Sequence, residues 1–427
     1  MHALRPHETI ERLSRALVER PDSAALHTQL GIAWCELERF SEALPHFERA
    51  VALSPGDPSV HNNFGTALKE LGRYREALPH LERAVALHRD YPEALNNLGI
   101  VLAALGRYAE AAERSRAALE LRPGYLKAIR NLRLIYQDQV PLWHFPMMND
   151  ECRNSAFDDA IRACVRTGDL VLEIGTGSGL LAMMAARAGA RHVYTCEMVP
   201  LIAAKAREII RQNGLEEAVT VIGRKSTDLV VGEDLPARAD MLITETFDAG
   251  LLGEGAVPII EHARMELLTP EARILPAGAT IHAMLVESEH LMRKGLVGEA
   301  AGFDLSVFNE YRPVSFQQAV SVGAECRSLS SEFGLFSFDF SGPPIAPAER
   351  RIRVPICADG LCQGAIVWYR LQLDRDHEIS TAPGGSLSHW KQMVQLFVPP
   401  MPVRQGQTLE LIVFHDRLSV FIEPVGL

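Results

Sequence analysis

The sequence lacks a long apolar run, paired cysteines and a surplus of positive charge, and each absence excludes a class of protein. No apolar run reaches the roughly 18 residues of a transmembrane helix, and the amino terminus does not read as a secretory signal, so we expect no membrane segment. The 7 cysteines form no CxxC pair, which argues against a zinc site or a disulfide framework and fits a reducing cytoplasm. The net charge of −11 opposes binding to nucleic acid and suits a cationic substrate.

A 34-residue period runs through the first third of the chain. Glycines recur with this spacing at Gly31, Gly65 and Gly99, and alanines repeat in step with them. Small residues at fixed positions in two successive helices resemble the tetratricopeptide repeat, in which the helices of each hairpin cross closely. We expect a half repeat before the complete units. The predicted units and the capping helix that follows them cover about residues 24–57, 58–91, 92–125 and 125–137.

Such an array carries no chemistry of its own. Solenoids usually bind an extended peptide on their surface, so we expect a protein partner on the tetratricopeptide array. The array could equally serve as an intramolecular spacer or as a dimer contact, and the residues leave these alternatives open.

Strands and helices alternate after the array. The apolar runs predict strands over about residues 169–174, 192–196, 219–222 and 241–244. Alternation of this kind indicates a parallel, doubly wound sheet, which binds its ligand at the carboxyl ends of the strands.

A glycine-rich loop follows the first of these strands. Gly175, Gly177 and Gly179 allow the backbone to approach a ligand closely. Glu197 ends the next strand, where a carboxylate can bind both ribose hydroxyls. The GxGxG spacing, together with Glu173 just before the loop, favours S-adenosylmethionine, although these residues alone leave nicotinamide and flavin cofactors open.

Two glutamates bracket a short loop after the last of these strands. Glu245 lies at the carboxyl end of the strand, and Glu254 follows nine residues later at the start of a helix. The run between them begins near Phe247 and contains two glycines, so it can fold as a hairpin that points both carboxylates at one spot. This arrangement resembles the double-E loop of protein arginine N-methyltransferases.

Two further motifs carry the same resemblance, which covers roughly residues 139–427. Met147, Asp150 and Arg153 fall at the spacing of the family's amino-terminal cofactor helix, and the Ser-His-Trp sequence at 388–390 resembles its Thr-His-Trp loop. The best match is the branch of the family with amino-terminal tetratricopeptide repeats. The resemblance implies S-adenosylmethionine-dependent methylation of arginine in a protein or peptide.

The resemblance also implies a role for each matching residue. Glu245 and Glu254 would clamp the guanidinium, and His389 would pair with Asp150 and take up or relay the proton lost after methyl transfer. The implied substrate contacts are Trp390, Met147 and Phe247. The implied cofactor contacts are Arg153, Glu173, Gly175, Gly177, Gly179, Glu197, Lys225, Ser226 and Glu245. No metal is implied.

Arginine chemistry needs paired carboxylates for a physical reason. The guanidinium is nearly always a cation, and the sulfonium of the methyl donor is also positive. Two unit charges about 4 Å apart repel by about 4 kcal/mol at an effective dielectric constant near 20. Two carboxylates on one guanidinium offset that repulsion and fix its orientation through bidentate hydrogen bonds.

Short apolar runs broken by glycine and proline fill the last third of the chain. They predict antiparallel strands over about residues 280–286, 333–340, 365–373, 393–398 and 409–414. The resemblance implies that these strands form the family's substrate-binding β-barrel. It also implies a homodimer, because the chain has one catalytic module, with a dimerisation arm near residues 291–308.

We therefore predict a multidomain chain with three folds. They are an all-α tetratricopeptide solenoid over residues 1–138, an α/β Rossmann-like methyltransferase domain over 139–276 and an antiparallel β-barrel over 277–427.

Two other interpretations of the function stay open. The chain could methylate another nucleophile, such as a nucleic-acid amine, although its charge opposes this and it lacks an Asn/Asp-Pro-Pro-aromatic motif. It could also be a repeat-based adaptor with an inactive methyltransferase module.

Overall fold

The computed structural model of the chain describes residues 6–384 and 389–425. It separates two compact units, Met1–Pro141 and Leu142–Leu427, so the boundary falls directly after the helical repeats. Within the described ranges, no helix combines the length and the apolar composition that are needed to cross a bilayer.

Antiparallel helix pairs make up the first unit. Its described helices are α1 (Pro6–Glu19), α2 (Ala24–Glu36), α3 (Phe40–Leu53), α4 (Pro58–Glu70), α5 (Tyr74–Leu87), α6 (Pro92–Ala104), α7 (Tyr108–Leu121) and α8 (Leu126–Gln139). The side chains of Ser23 and Asp57 cap α2 and α4 by accepting a backbone N–H. After α4, Gly72 adopts a φ of 72°, which ends the helix without strain. The prediction of tetratricopeptide repeats is confirmed.

The repeated glycines allow the two helices of a pair to cross closely. A β-carbon at Gly31 would lie 2.6 Å from the ring of Phe47, and one at Gly65 would lie 2.6 Å from Leu81. The third pair departs from this pattern, because Ser115 stands where the earlier pairs have Phe47 and Leu81. The periodic glycine therefore leaves space for a bulky partner in two of the three pairs.

A groove with a volume of about 470 Å³ lies between α5, α6 and α7. Leu98 of α6 lies in its floor. One repeat earlier the same position holds Phe64, whose ring lies 4.3 Å from the ring of His80. Ala117 likewise stands where the preceding repeat has Arg83. Smaller side chains at these positions open the groove.

A parallel sheet forms the first half of the second unit. Its strands are β1 (Leu170–Ile174), β2 (His192–Cys196), β3 (Val219–Ile222), β4 (Ala239–Thr244) and β5 (Leu268–Leu275), in the order β3-β2-β1-β4-β5. The helices around it are α9 (His144–Met148), α10 (Glu151–Cys164), α11 (Leu180–Arg187), α12 (Pro200–Gln212) and α13 (Ala256–His262). The strand order reverses between β1 and β4, and such a reversal places a ligand site at the carboxyl ends of these two strands. The prediction of a Rossmann-like sheet is confirmed.

Antiparallel strands form the remainder of the second unit. They are β6 (Gly278–Glu287), β7 (Glu299–Ala300), β8 (Phe303–Asp304), β9 (Phe316–Gln318), β10 (Arg327–Ser328), β11 (Phe333–Asp339), β12 (Ala348–Pro355), β13 (Gly360–Gln372), β14 (Glu378–Ser380), β15 (Gln392–Val403), β16 (Thr408–His415) and β17 (Val420–Pro424), with helix α14 (Glu289–Gly295). Strands β6, β13 and β15 are the centre of a seven-stranded sheet, and β12, β16 and β17 form a second sheet. The two sheets share one buried apolar cluster with the parallel sheet. The antiparallel class of this region is confirmed.

Candidate active site

The glycine loop connects β1 to α11 in a conformation that glycine adopts most easily. Gly175, Gly177 and Gly179 have φ angles of 91°, 52° and 84°. A β-carbon at Gly175 would lie 2.8 Å from Cγ2 of Thr246, so this glycine is required for close packing. A β-carbon at Gly177 would meet nothing within 4 Å. The loop therefore leaves open space beside its backbone.

Two buried carboxylates flank this loop. Glu197 directly follows β2 and accepts hydrogen bonds from the backbone N–H groups of Gly177 at 3.2 Å and Val199 at 2.9 Å. Glu173 on β1 is 1% exposed and accepts a hydrogen bond from the Thr195 hydroxyl. Burial raises the pKa of Glu173 from 4.5 to about 8, although that hydrogen bond acts in the opposite direction. Burial therefore favours the protonated form of Glu173.

An aspartate organises the loop between the two glutamates. Asp248 Oδ1 accepts hydrogen bonds from the backbone N–H groups of Gly250 at 3.1 Å and Gly253 at 3.0 Å. A β-carbon at Gly253 would collide with the Asp248 carboxylate. Sequence reasoning did not foresee this function, although an aspartate shortly before two glycines is a signal for a side chain that bonds its own turn.

Glu245 is held by a buried ion pair. Nη2 of Arg153 donates to Glu245 Oε2 at 2.7 Å, and these side chains are 3% and 7% exposed. The guanidinium of Arg153 also lies over the ring of Phe157. Within the described part of the chain, Nε of Arg153 has no hydrogen-bond partner. Arg153, which we expected beside the cofactor, thus also orients one of the two loop glutamates.

Glu254 lies at the rim of the loop, two residues before α13 begins. The residue as a whole is exposed. Partial burial of its carboxyl group, followed by repulsion from Glu245 and then from Asp248, raises its pKa from 4.5 to about 7. Three carboxylates therefore act on one small region, which suits a cation.

A buried His–Asp pair joins the two halves of the unit. Nδ1 of His389 donates to Asp150 Oδ2 at 2.9 Å, with both side chains at most 4% exposed. Asp150 also caps α10, because its Oδ1 accepts the backbone N–H of Arg153 at 3.1 Å. Burial lowers the pKa of His389, against the opposing effects of Asp150 and Glu245. Nε2 of His389 has no partner among residues 6–384 and 389–425.

Two aromatic residues that we expected beside the substrate lie in the core. Trp390 is 7% exposed, and its Nε1 donates to the carbonyl oxygen of Phe247 at 3.4 Å. Phe247 is 4% exposed and stacks on Phe340 with ring centroids 6.0 Å apart. In this arrangement both residues fix the loop. Ser388, the first residue of the Ser-His-Trp motif, lies outside the described residues.

The remaining predicted contacts lie around this centre. Met147 is buried in the short helix α9, which precedes α10. Lys225 is exposed and Ser226 is buried at the start of a 3-10 turn after β3. This turn lies at the same edge of the sheet as the glycine loop, because parallel strands end together.

Four protein families match parts of the chain. Residues 277–419 match the arginine methyltransferase oligomerization subdomain. Residues 158–247 match the ribosomal protein L11 methyltransferase family. Residues 62–125 and 22–90 match tetratricopeptide repeat families.

Curated relatives carry arginine methyltransferase names. Arginine N(omega)-methyltransferase of Streptomyces achromogenes subsp. streptozoticus is 40% identical over 280 residues, which cover 65% of this chain and 77% of the relative. Protein arginine N-methyltransferase 7 of Oryza sativa subsp. indica is 35% identical over 315 residues, which cover 65% of this chain and 44% of the relative. The chain thus spans less than half the length of the rice protein.

Solved structures share the fold of the second unit. The Trypanosoma brucei protein arginine methyltransferase 1 enzyme–prozyme heterotetrameric complex with AdoHcy aligns with a TM-score of 0.58 at 22% identity. The alignment covers 66% of this chain and 96% of that chain.

Proposed function

The chain belongs to the arginine N-methyltransferase family, and on this premise we propose that it transfers methyl groups to a guanidinium nitrogen of arginine in protein substrates. One observation carries the proposal. Glu245 acts electrostatically on both Glu254 and His389, and His389 is hydrogen-bonded to Asp150 at 2.9 Å. This grouping offers two carboxylates for a cation and a base for a proton.

The cofactor is S-adenosylmethionine, which supplies an activated methyl group when bound. The residues present fit it. The space beside Gly177 is open, and Nε of Arg153 is a buried donor that lacks a partner among the described residues. Glu197 would accept hydrogen bonds from the ribose hydroxyls of the cofactor, and Arg153 would hold the carboxylate of its amino-acid end. Lys225 and Ser226 would lie at the adenine.

Glu245 and Glu254 would clamp the guanidinium of the substrate. A carboxylate holds a cation only in its ionised form, and a neighbouring cation lowers a carboxyl pKa. The raised pKa of Glu254 would therefore fall when arginine arrives. The two negative charges offset the repulsion of about 4 kcal/mol between guanidinium and sulfonium at about 4 Å. They also orient the reacting nitrogen for in-line displacement.

His389 would accept the proton that the guanidinium loses. Because Nδ1 donates to Asp150, the lone pair lies on Nε2, the atom without a partner among the described residues. Burial lowers the pKa of His389, so the ring is neutral at pH 7 and able to take a proton. Asp150 would stabilise the protonated ring.

One transfer assay tests the proposal. The protein is incubated with a labelled methyl donor and an arginine-rich peptide, and the hydrolysed amino acids are analysed. Labelled methylarginine that disappears in Glu254→Gln supports the proposal. Label in added RNA would instead support another nucleophile. Failure to bind the donor would support an adaptor with an inactive module.

Free arginine is a second candidate substrate. The Streptomyces relative is named for arginine and not for protein arginine, and this chain covers 77% of it. Parallel reactions with L-arginine and with the peptide separate the two candidates. If kcat/KM for L-arginine equals or exceeds kcat/KM for the peptide, free arginine takes the place of protein arginine as the proposed substrate.

The protein would work as a homodimer. The match to the oligomerization subdomain covers residues 277–419, and the segment after α14 exposes large apolar side chains. Phe303, Phe308 and Tyr311 are 70%, 67% and 76% exposed. Exposed apolar residues in one segment are typical of an interaction surface. The variant Phe308→Asp should shift the protein from dimer to monomer in light scattering.

The array would bind a protein partner in the groove between α5, α6 and α7. The lining contains four carboxylates and two arginines over a floor of leucines. A groove of about 470 Å³ suits one apolar anchor residue, and the surplus of acids favours basic residues on either side of that anchor. Such a partner segment matches the chemistry of an arginine-rich substrate protein.

Refilling the groove tests this partner site. Leu98→Phe and Ala117→Arg give α6 and α7 the residues of the preceding repeat, so the helices should keep their fold. The double variant should lose turnover of a full-length protein target and keep turnover of short peptides. Deletion of residues 1–137 should have the same effect, and an equal loss on both substrates would indicate a structural function for the array.

We also place the protein in the cytoplasm. All of its cysteines are free thiols, which fits a reducing compartment. Cell fractionation tests this location.

A further inference from the structure

Strand β13 carries a tyrosine whose side chain is completely buried. Tyr369 has 0% of its surface exposed, and its hydroxyl has no hydrogen-bond partner among the described residues. Burying a hydroxyl without a partner is unfavourable, and phenylalanine would fill nearly the same space without that cost. The hydroxyl is therefore a polar group that the fold alone does not explain.

Tyr369 lies behind the loop that carries the two glutamates. Its ring meets the ring of Trp390 edge-on with centroids 6.1 Å apart, and Trp390 is bonded to the carbonyl of Phe247 in that loop. Three hydrogen bonds with Thr381 hold the backbone of Tyr369 in place. The charged groups that act on its hydroxyl are Glu245, Asp248, Glu254 and Arg153.

The pleat of β13 directs only one of two neighbouring aromatic residues toward these acids. Tyr369 belongs to the large apolar cluster that contains Trp390 and Phe247. Trp368 belongs to a separate cluster, because successive side chains of a strand point to opposite faces. The position of the hydroxyl is thus set by the register of the strand and not by a flexible loop.

We propose that Tyr369 is a positioning residue of the active site, whose hydroxyl donates a hydrogen bond to a carboxylate of the loop while that loop holds the substrate arginine. The inference rests on the proposed function and goes beyond it. An ionised carboxylate only accepts hydrogen bonds, so a tyrosine hydroxyl that bonds a carboxylate acts as the donor. Such a bond favours the ionised form of the acid, which is the form that holds a cation.

Tyr369→Phe tests the inference, because it removes the hydroxyl alone. The probe is N-acetyl-L-arginine amide, and its binding is measured by calorimetry in the presence of S-adenosylhomocysteine. At pH 7 the variant should bind the probe about tenfold more weakly. The difference should shrink at pH 9, where the carboxylates are ionised without help from the hydroxyl. The affinity for S-adenosylhomocysteine should not change.

A matched control and a stability measurement separate this function from a structural one. Tyr194→Phe alters a half-buried tyrosine on β2 outside the site and should leave probe binding unchanged. Tyr369→Phe should unfold at the same temperature as the wild type or higher, since the hydroxyl it removes has no partner in the described structure. A parallel loss of stability and binding would indicate a structural function and overturn the inference.

The failures of the two proposals are distinguishable. If the wild type binds the probe and Tyr369→Phe binds it equally well at both pH values, the inference is overturned and the proposed function stands. If the wild type does not bind the probe and methylates neither peptide nor L-arginine, the proposed function is overturned and the inference with it.

Discussion

Replacing Glu254 by glutamine should lower methyl transfer and raise the stability of the fold at the same time. Glutamine keeps the shape of the side chain but cannot balance the charge of a guanidinium. Removing one partner of a hydrogen-bonded charge pair costs about 3 kcal/mol. We therefore expect kcat/KM to fall by about 150-fold.

The gain in stability follows from the pKa of the same group. Partial burial, together with Glu245 and Asp248, raises the pKa of Glu254 from 4.5 to about 7. The folded protein therefore binds this proton more tightly than the unfolded chain, and the wild type loses stability as the pH rises from 4.5 through 7. Each pKa unit corresponds to about 1.36 kcal/mol. Because Glu254 is exposed, screening by solvent reduces the gain to about 1 kcal/mol.

Thermal unfolding at two pH values checks this reasoning. At pH 8, Glu254→Gln should melt about 2 °C above the wild type. At pH 4 the difference should vanish, because the wild-type carboxyl is then protonated in both states. Glu271→Gln, at an exposed glutamate on β5, is the control and should change neither stability nor kcat/KM. A variant that is less stable at pH 8, or equally shifted at pH 4, would refute the proposed repulsion.

Three further predictions concern other parts of the chain. Asp150→Asn keeps an acceptor that caps α10 but loses the charge beside His389, whereas Asp150→Ala loses both. Both variants should show a kcat at least about tenfold lower than the wild type. Only the alanine variant should lose about 1 kcal/mol of unfolding free energy in urea, and equal unfolding midpoints for the two variants would show that Asp150 does not cap α10. Glu197→Ala should weaken cofactor binding by at least about tenfold in calorimetry, because the ribose loses its acceptor, and an unchanged affinity would remove Glu197 from the site. Burial holds the pKa of His80 below its ordinary 6.5, so the folded array favours the neutral ring and should lose stability as the pH falls below about 6.5. Urea unfolding midpoints at pH 7.5 and 5.5 check this prediction. If the midpoint of His80→Gln falls as much between these pH values as that of the wild type, the prediction is contradicted.

Regular patterns made much of the fold predictable. Strands β2 and β3 have the predicted bounds, because each is a compact apolar run in an alternating region. Strand β12 was missed, since the first half of its sequence AERRIRVP is polar and only Ile352 and Val354 alternate with exposed residues. Short strands such as β7 and β8 exist only through their pairing with each other, which no local pattern encodes.

The candidate site was predictable where it depends on motif spacing. The pairing of His389 with Asp150 joins residues 239 positions apart, and only the resemblance to a family placed them together. The burial of Trp390 could not be deduced, because it depends on how the antiparallel strands pack against the loop. An aspartate shortly before two glycines signals that Asp248 can bond its own turn, but which two N–H groups it bonds depends on the backbone directions in the folded loop.

The contact between Asp248 and Gly253 constrains how this loop can change. The carboxylate occupies the space that any side chain at position 253 would need, and it bonds the backbone N–H there. Substitution of the glycine alone would push the aspartate away and release the turn. We therefore expect a relative with a larger residue at 253 to carry a different residue at 248.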